Sequence, residues 1–476
     1  MRAITTVALA LVAFAASVTP ASAQNKQSSS QQNFAAKPYM GWSSWSFMRS
    51  HPTEQKLKAQ AEAILSNHLD KLGYRYINVD AGWTKSFDDH GIPAPDLTAF
   101  PSGMDGMAKW MHQRGLLFGI YLNPGISPEL LKQNPQIEST SAHIADITDT
   151  SQPGSTHRGD YRIDFTKPAA RTYIRSQVAQ FDRWGVDFIK MDFVGPGGGN
   201  LQADNREEMR EWHAALSHTS HPIWFELSNY MSIDQAPLWR ATSNGWRVDN
   251  DIECYSACDK STDPNVKGNL TIWSKVVTRF SDVVEWLPFN GPGSERNPAA
   301  AWQQAAGGGW NDLDTLELGN GDKDGITPDE RQSMFLLWSI SCAPLYLGTD
   351  LTKMDANDLK LMSNAEVIAI DQAGIPARPL DIQHLRKKPQ QAWMTRSADG
   401  SVVLTLFNLD AAQAEVKLDW REIDALRDTT LAARMASGKP PMLHDLISGA
   451  DTPAAAEGLS VTLAAHASRI LRIAAR

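Results

Sequence analysis

The stretch GVDFIKMDFVGPGGG, residues 185–199, decides how the rest of the chain is interpreted. It begins as an apolar run typical of a buried β-strand and ends in the glycines and proline typical of a loop. Lys190 and Asp192 are two residues apart, so on a strand both side chains project to the same side. A charged pair in a buried strand is either a structural ion pair or part of a catalytic centre. The surrounding sequence has to decide between these two interpretations.

Seven further apolar segments share this pattern, because each ends in polar or aromatic residues and is followed by a helix-like stretch. Gly73, Gly115 and Gly185 stand where a helix should stop before the next strand. Eight strand–helix units predict a (β/α)8 barrel. A doubly wound open sheet is the alternative, but no G-x-G-x-x-G loop supports it. The eight predicted strand segments are 39–45, 74–83, 116–125, 186–193, 223–229, 245–251, 309–314 and 343–350.

The chain divides into four predicted regions. Residues 1–23 have the pattern of a cleavable, bacterial-type export signal with an A-x-A site, so cleavage is expected after Ala23. Residues 24–36 are expected to be a disordered spacer, and residues 37–374 form the predicted catalytic barrel. Residues 375–476 alternate around an Asp399-Gly400 turn, which predicts an antiparallel β-sandwich with one short helix at WREIDALRD. The mature protein is therefore expected to be secreted or periplasmic.

Composition limits the classes of partner. The net charge of −9 argues against nucleic acid or an anionic membrane as a partner of the mature protein. No His or Cys cluster has zinc spacing, and the turn NGDKDG (320–325) lacks the acidic twelfth residue of a calcium loop, so no metal and no other cofactor are expected. An oxidising compartment would permit a Cys254–Cys258 bridge. The oligomeric state does not follow from the sequence.

The polar residues at the ends of the predicted strands indicate the chemistry. In a barrel, the carboxyl ends of the strands form the active-site face. Here those ends carry mainly carboxylates, aromatic rings and a few cations, which suits a hydrolase acting on sugars. Glycoside hydrolysis needs one ionised carboxylate and one carboxyl that gives a proton. Asp192 has Lys190 beside it to keep it ionised, which suits a nucleophile.

Six motifs, taken in chain order, resemble those of glycoside hydrolase family 27, the α-galactosidase or melibiase family of clan D. The resemblance extends from residue 38 to residue 351, and the layout with a β domain behind the barrel is also similar. It implies a secreted bacterial member that removes a terminal sugar from an oligosaccharide or polysaccharide with retention of configuration, with α-galactosidase as the leading activity. The motifs are MGWSSW (40–45), YINVDAGW (76–83), FIKMDF (188–193), WRVDNDI (246–252), WNDLDTLELGN (310–320) and SISCAPLYLGTDL (339–351).

The resemblance also implies site residues. Asp192 matches the family's nucleophile and Asp251, four residues after Arg247, matches its acid/base. The matching sugar-binding positions of the −1 subsite are Trp45, Asp80, Tyr121, Lys190, Asn229 and Arg247, of which Asn229 lies near the position that reads the 2-substituent.

Four other carboxylates near the strand ends keep alternative interpretations. Asp249 is the less favoured candidate for the acid, and Asp312 and Asp314 are expected to be structural, bracing turns or neighbouring cations. Glu226 either lines the subsite or neutralises a nearby cation.

The sequence departs from the family pattern before Trp83, at FELSNY (225–230) and in an insertion after the third strand. Ala81 and Gly82 replace the second Asp and the Cys that typical α-galactosidases carry before Trp83, and a long insertion, residues 134–165, follows the third strand. Ala81 cannot accept a hydrogen bond from a sugar hydroxyl, and Asp89 and Asp96, in the loop beyond, are the candidates to substitute for the lost carboxylate. The alternatives are therefore a β-L-arabinopyranosidase or an isomalto-dextranase type and, more remotely, a non-catalytic carbohydrate-binding protein.

Overall fold

The computed structural model describes residues 34–157, 159–262, 267–291, 309–381, 388–427, 431–437 and 440–474. The expected export signal and most of the expected spacer lie outside these residues. In chain order the strands are β1 Met40–Ser43, β2 Tyr76–Asn78, β3 Thr84–Phe87, β4 Pro93–Pro95, β5 Leu117–Leu122, β6 Thr148–Pro153, β7 Tyr161–Ile163, β8 Phe188–Met191, β9 Trp224–Leu227, β10 Gly245–Arg247, β11 Trp310–Asp312, β12 Leu345–Leu347, β13 Arg378–Pro379, β14 Gln390–Arg396, β15 Val402–Asn408, β16 Ala414–Leu418, β17 Met442–Asp445, β18 Asp451–Pro453, β19 Leu459–Leu463 and β20 Ser468–Ile473.

The α-helices are numbered in the same way. They are α1 Trp45–Met48, α2 Glu54–Ser66, α3 Gly103–His112, α4 Pro128–Gln133, α5 Pro168–Trp184, α6 Arg206–Leu216, α7 Ala236–Thr242, α8 Tyr255–Asp259, α9 Trp273–Trp286, α10 Pro328–Ile340, α11 Ala356–Met362, α12 Ala365–Asp371, α13 Trp420–Arg427 and α14 Leu431–Ala436. Short 3₁₀ turns cover Leu69–Leu72, Ile144–Ile147, Ile233–Gln235, Leu287–Phe289, Gly321–Asp324 and Leu351–Lys353.

Eight parallel strands form a closed barrel. Their order is β11-β10-β9-β8-β5-β2-β1-β12, and each of the eight segments predicted from the sequence contains one of them. The barrel closes just after β11, where the Leu316 N–H donates to the Tyr346 carbonyl at 2.8 Å and the Gly348 N–H donates to the Leu316 carbonyl at 3.2 Å. The predicted (β/α)8 barrel is therefore confirmed.

Helix α5 shows how the sequence places the central strand. The helix has Pro168 in its first turn, where the missing N–H costs nothing, and buries Ile174, Val178 and Phe181 at helical spacing. It ends at Gly185, whose φ of 78° is the left-handed conformation that glycine adopts without steric cost. This stop turns the chain directly into β8, which begins at residue 188.

The barrel interior changes from apolar to polar along the strands. At the amino-terminal end the Tyr39 ring packs against four aromatic rings, with centroid distances of 4.9 Å to Phe188, 5.1 Å to Trp224, 5.3 Å to Tyr346 and 5.4 Å to Tyr76. Because side chains alternate along a strand, the residue two positions after Phe188 faces the same way, and that residue is Lys190. An aromatic floor thus lies beneath the polar residues at the carboxyl ends.

The second domain is built from two antiparallel sheets. Six strands pair in the order β13-β14-β15-β20-β17-β18, and β16 pairs with β19. Their facing apolar residues form a separate core cluster that includes Leu404, Val416 and Leu471. The domain contacts the barrel helices through Phe280 and Phe407, whose ring centroids are 4.9 Å apart. This arrangement confirms the predicted β-sandwich, and α13 is the short helix expected at WREIDALRD.

The structure defines two smaller features that the sequence left open. Cys254 and Cys258 form a disulfide with Cα atoms 5.5 Å apart. In the turn at 320–325, Asp324 Oδ2 accepts hydrogen bonds from the backbone N–H groups of Gly319 and Asn320, both at 2.9 Å, so this carboxylate stabilises the turn itself. Across the part of the chain that the structure describes, no helix combines the length and apolar character needed to cross a membrane.

Candidate active site

Lys190 is the cation at the centre of the carboxyl-terminal face. Its Nζ donates to Asp80 Oδ2 at 2.9 Å and lies 5.6 Å from the centroid of the Tyr121 ring. Burial disfavours the charged ammonium, but the carboxylates of Asp80 and Asp192 outweigh burial and raise the pKa of Lys190 well above its usual value. Asp80 is itself fixed, because its Oδ1 accepts the Ala81 N–H at 2.8 Å. Lys190 is therefore a permanent cation in the site, hydrogen-bonded to the oriented carboxylate of Asp80.

Asp192 follows β8 at the same level of the barrel. Its Oδ1 accepts the N–H of Phe193 at 2.9 Å. Burial raises the pKa of the Asp192 carboxyl; Lys190 opposes this, while the charges of Asp251 and Asp80 add to it, and the net direction is upward. The charge of Lys190 thus favours the ionised form of Asp192, and burial opposes it. The hydrogen bond from Lys190 goes to Asp80. The charge of Lys190 lowers the pKa of Asp192 by less than burial raises it.

Arg247 holds the second carboxylate in place. This buried side chain donates through Nη2 to Asp251 Oδ1 at 3.1 Å and pairs with Asp314 Oδ2 at 2.7 Å. Asp314 has a φ of 80°, unusual outside glycine, and its Oδ2 also accepts the Ile252 N–H at 2.7 Å. Asp314 thus braces both Arg247 and the backbone beside Asp251, in line with the structural role expected from the sequence.

Two aromatic residues complete the environment of Asp251. The Tyr255 hydroxyl donates a short hydrogen bond to Asp251 Oδ2, and the Trp45 indole Nε1 donates to the Tyr255 hydroxyl at 2.7 Å. Burial raises the pKa of Asp251, but Arg247 and the Tyr255 hydrogen bond more than offset burial, so this pKa lies below its usual value. Tyr255 was missed in the sequence because its spacing of four from Asp251 is informative only inside a helix, and α8 begins at Tyr255 itself.

Replacing Tyr255 with Phe tests this hydrogen bond. The hydroxyl stabilises the ionised form of Asp251, so its loss should raise the pKa of that carboxyl. If Asp251 must carry a proton to act, the alkaline limb of the profile of log kcat/KM against pH moves to higher pH in Tyr255→Phe. Tyr161→Phe, which removes a hydroxyl from a half-buried ring on β7, serves as the matched control. An alkaline limb that stays in place would show that Tyr255 does not control the acid.

Asn229 and Asp249 occupy different settings. Asn229 follows β9, where the Ser228 carbonyl accepts the Val194 N–H at 2.8 Å, so the two segments after β8 and β9 run side by side. The buried Asn229 Oδ1 has no hydrogen-bond partner among the described residues. The Asp249 carboxylate, in contrast, forms a short ion pair with buried Arg279. The Asp249 side chain is thereby tied to helix α9 through Arg279.

Glu226 lies inside the barrel, beside Lys190 in the register between β8 and β9. Its Oε2 accepts the Trp224 Nε1–H at 2.8 Å, and its Oε1 has no partner among the described residues. Burial and then the charge of Asp312 raise the pKa of Glu226 well above its usual value. For the role of neutralising a cation, the described residues show no direct ion pair of Glu226, because the hydrogen bond from Lys190 goes to Asp80.

The candidates expected to substitute for the missing second Asp at position 81 lie on the neighbouring hairpin. Asp96 forms a short ion pair with Lys85 and accepts the Thr98 N–H at 3.0 Å, so its carboxylate is used within the β3–β4 hairpin. Asp89 is exposed. Of the carboxylates at this edge, Asp80 is the one that the structure joins to Lys190.

Taken together, the structure brings most of the expected residues into one connected group. Electrostatic and hydrogen-bond contacts join Asp80, Lys190, Tyr121 and Asp192 on one side, and Arg247, Asp251 and Trp45 on the other, with Asp192 and Asp251 acting on each other's charge. Three carboxylates, two cations and aromatic rings at the carboxyl-terminal end of the barrel match the needs of sugar hydrolysis.

Comparison with known proteins identifies the family. The protein-family model described as "Alpha galactosidase A" matches residues 37–128 and 162–373, and the model of the alpha galactosidase C-terminal β-sandwich domain matches residues 387–473. The alpha-galactosidase of Cyamopsis tetragonoloba is 28% identical over 398 residues, covering 83% of this chain and 79% of the relative. The alpha-galactosidase of Oryza sativa subsp. japonica is 26% identical over 398 residues, covering 83% and 78%.

Solved structures agree with this result. The family 27 β-L-arabinopyranosidase from Geobacillus stearothermophilus superposes with a TM-score of 0.77 at 25% identity, covering 93% of this chain and 97% of that one. α-Galactosidase I from Mortierella vinacea superposes with a TM-score of 0.67 at 22% identity, covering 93% and 98%, and shares the fold. Because the first family model matches more than half of the residues, this chain belongs to the α-galactosidase family, glycoside hydrolase family 27, and is a glycosidase.

Proposed function

We propose that the protein is a retaining, exo-acting α-galactosidase. The observation that carries this proposal is the pair Asp192 and Asp251, one carboxylate set beside Lys190 and the other held by Arg247 and Tyr255. The curated relatives bearing the α-galactosidase name support the choice of sugar. In this proposal Trp45, Asp80, Tyr121, Lys190, Asn229 and Arg247 bind the terminal sugar.

The first step forms a covalent sugar ester. An Asp192 oxygen attacks the anomeric carbon and the bond from that carbon to the leaving oxygen breaks. The proton on Asp251 passes to the leaving oxygen, so the alcohol departs neutral and Asp251 becomes a carboxylate. Lys190 and Arg247 stay charged throughout and orient the sugar hydroxyls.

The second step reverses these roles. Asp251 removes a proton from water while the water oxygen bonds to the anomeric carbon, and the bond to Asp192 breaks. Two inversions give net retention, and both carboxyl groups return to their starting protonation states.

The pKa directions of the free site run opposite to these roles, because burial raises the pKa of Asp192 and the pKa of Asp251 is lowered. The Asp251 side chain is 35% exposed, so a bound sugar and its leaving group would displace water from it and raise its pKa. Ionisation of Asp192 adds a negative charge that favours the protonated form of Asp251 in the same way. In this proposal, substrate binding therefore sets the protonation states that the reaction needs.

A second sugar specificity is favoured by one residue. Ala81 offers no carboxylate where typical α-galactosidases carry one, and a β-L-arabinopyranoside is the same ring as an α-D-galactoside without the C6 hydroxymethyl group. Losing a hydroxyl contact costs about 1–3 kcal/mol, or roughly 5- to 150-fold in discrimination. The high similarity to a family 27 β-L-arabinopyranosidase points in the same direction.

Initial rates on p-nitrophenyl glycosides test the choice of sugar. We expect hydrolysis of the α-D-galactoside, with a preference over the β-L-arabinopyranoside of no more than about 10-fold. The preference is small because Ala81 cannot accept a hydrogen bond from a sugar hydroxyl. The α-N-acetylgalactosaminide, the α-D-glucoside and dextran complete the panel. Faster hydrolysis of the arabinopyranoside would replace the galactosidase proposal with the second candidate, and a preference for glucoside or dextran would exclude both.

We propose further that the protein is exported. The apolar segment and A-x-A site within residues 1–23 support this proposal, as does a Cys254–Cys258 disulfide that suits an oxidising compartment. The same proposal divides the chain into a leader (1–23), a spacer (24–36), a catalytic barrel (37–374) and a β-sandwich (375–476). Mass spectrometry of the mature protein, with an N-terminus at residue 24 expected, tests the leader.

A further inference from the structure

The insertion after the third barrel strand reaches the catalytic face. Residues 129–161 lie between the two segments that match the α-galactosidase A family model, so the family pattern does not account for them. This part of the chain contains strand β6 and ends at the first residue of β7, with which β6 pairs antiparallel as a hairpin. Its tip, residues 154–157, leaves the hairpin and meets the segment that follows β8.

The tip contacts the residue next to the proposed nucleophile. The Thr156 N–H donates to the Phe193 carbonyl at 2.7 Å, and the Asn200 N–H donates to the Thr156 carbonyl at 2.9 Å. The His157 ring packs on the Phe193 ring, with centroids 4.7 Å apart and an interplanar angle of 30°. Since the Phe193 N–H donates to Asp192, one residue separates the insertion from the proposed nucleophile.

Buried hydrogen bonds hold the tip in place. Asn205 Nδ2 donates to the Gly154 carbonyl at 2.7 Å, and Asn205 Oδ1 accepts the Gly195 N–H at 2.8 Å. Glu208, also buried, accepts the Gly125 N–H at 3.0 Å and a hydrogen bond from Asn205 at 3.1 Å. These two side chains tie together three loops of the catalytic face. The position of His157 over Phe193 is thus fixed by the fold.

Exposed rings flank the segment after β8 on both sides. His157 is exposed apart from its contact with Phe193, and Tyr230, on the segment after β9, is 40% exposed. Tyr230 borders the same segment, because the Gly198 N–H donates to its carbonyl at 2.6 Å. The glycines at 197–199 place no side chain between the two rings. A Cβ at Gly198 would lie 2.7 Å from the Tyr230 Cβ. Ring faces beside an open glycine segment suit the C–H faces of a sugar.

We propose that His157 is a specificity-determining residue of the leaving-group subsite and contacts the sugar that departs when the terminal sugar is released. This inference rests on the proposed function: the terminal sugar lies between Asp192 and Asp251, so the second sugar extends out of that subsite to the exposed rim, where the His157 ring covers Phe193 beside Asp192. The ligand class is a second sugar unit, which the imidazole ring contacts through its face. The terminal sugar itself does not reach His157.

Two substrates with the same terminal sugar test the proposal. One is a galactosyl-α-1,6-disaccharide, whose leaving group is a sugar, and the other is α-galactosyl fluoride, whose leaving group is a single atom. In His157→Ala we expect kcat/KM for the disaccharide to fall about 10-fold, as for one lost ring contact, while kcat/KM for the fluoride stays unchanged. His157→Phe, which keeps a ring, should retain most of the disaccharide activity.

The controls separate this role from a structural one. His143→Ala changes an exposed histidine of the same insertion, away from the tip, and should affect neither substrate. An equal loss on both substrates in His157→Ala, or no loss on either, would overturn the proposal. If the glycoside panel identifies another terminal sugar, the disaccharide and fluoride of that sugar are used. A failure of the galactoside assignment then remains distinct from a failure of the His157 assignment.

Discussion

Asp192→Ala should lose nearly all turnover, with kcat lowered on the order of 10⁴-fold or more on every glycoside that the wild-type enzyme hydrolyses. In the proposed mechanism no other group can form the covalent bond to the anomeric carbon. Binding of the sugar should persist, because Lys190 keeps its hydrogen bond to Asp80 and Arg247 keeps its pair with Asp314. Initial rates and calorimetric binding of galactose measure the two effects separately.

A matched variant controls for the possibility that Asp192→Ala loses activity by unfolding. Asp234→Ala removes an exposed carboxylate from a 3₁₀ turn after β9 and should keep the wild-type rate. Circular dichroism and thermal unfolding of both variants check that Asp192→Ala is folded. Turnover by folded Asp192→Ala at near the wild-type rate would remove Asp192 from the role of nucleophile.

Asp251→Ala should show a loss that depends on the leaving group. A sugar leaving group needs a proton, so kcat/KM for the galactosyl disaccharide should fall about 10²- to 10⁴-fold. A dinitrophenolate leaves without a proton, so the first step on a dinitrophenyl galactoside should be nearly unaffected. The second step still lacks its base, and the glycosyl-enzyme should accumulate. A rapid-mixing experiment would record this as a burst of dinitrophenolate followed by a slow steady rate.

Asp249 provides the control for this assignment. Asp249→Asn keeps the size of a side chain that is paired with Arg279, and it should leave the dependence on the leaving group unchanged. If the burst and the selective loss appear in Asp249→Asn and not in Asp251→Ala, then Asp249 is the acid and the proposed mechanism is wrong.

The barrel was predictable because its strand segments carry local signals. Each segment is a short apolar run that ends in polar residues, and the helices between them end at glycines such as Gly185, with its positive φ. The β-sandwich was predictable for a similar reason, since residues alternate on both sides of the Asp399-Gly400 turn. In contrast, the strands β6 and β7 were not predicted. The sequence TDTSQP of β6 is polar, and it becomes a strand through pairing with β7.

The site was predictable as a set of residues but not as a set of contacts. Period-two alternation places Lys190 and Asp192 on one side of a strand, yet the hydrogen bond from Lys190 goes to Asp80, 110 positions away. That contact exists because β2, β5 and β8 are neighbours in the closed sheet, which no local pattern encodes. The hydrogen bond from Tyr255 to Asp251 was missed for a different reason, because a spacing of four predicts a contact only inside a helix and α8 begins at Tyr255.

The most direct test of the proposed mechanism is the anomeric configuration of the glycosyl azides formed by Asp192→Ala and Asp251→Ala. Both variants would be incubated with an activated aryl α-galactoside and azide, and the products assigned by proton NMR. Azide takes the place of the missing nucleophile in Asp192→Ala, so the β-azide, of inverted configuration, is expected. In Asp251→Ala azide attacks the glycosyl-enzyme without needing a base, so the α-azide, of retained configuration, is expected. The opposite pair of products, with the β-azide from Asp251→Ala and the α-azide from Asp192→Ala, would contradict the assignment of nucleophile and acid/base.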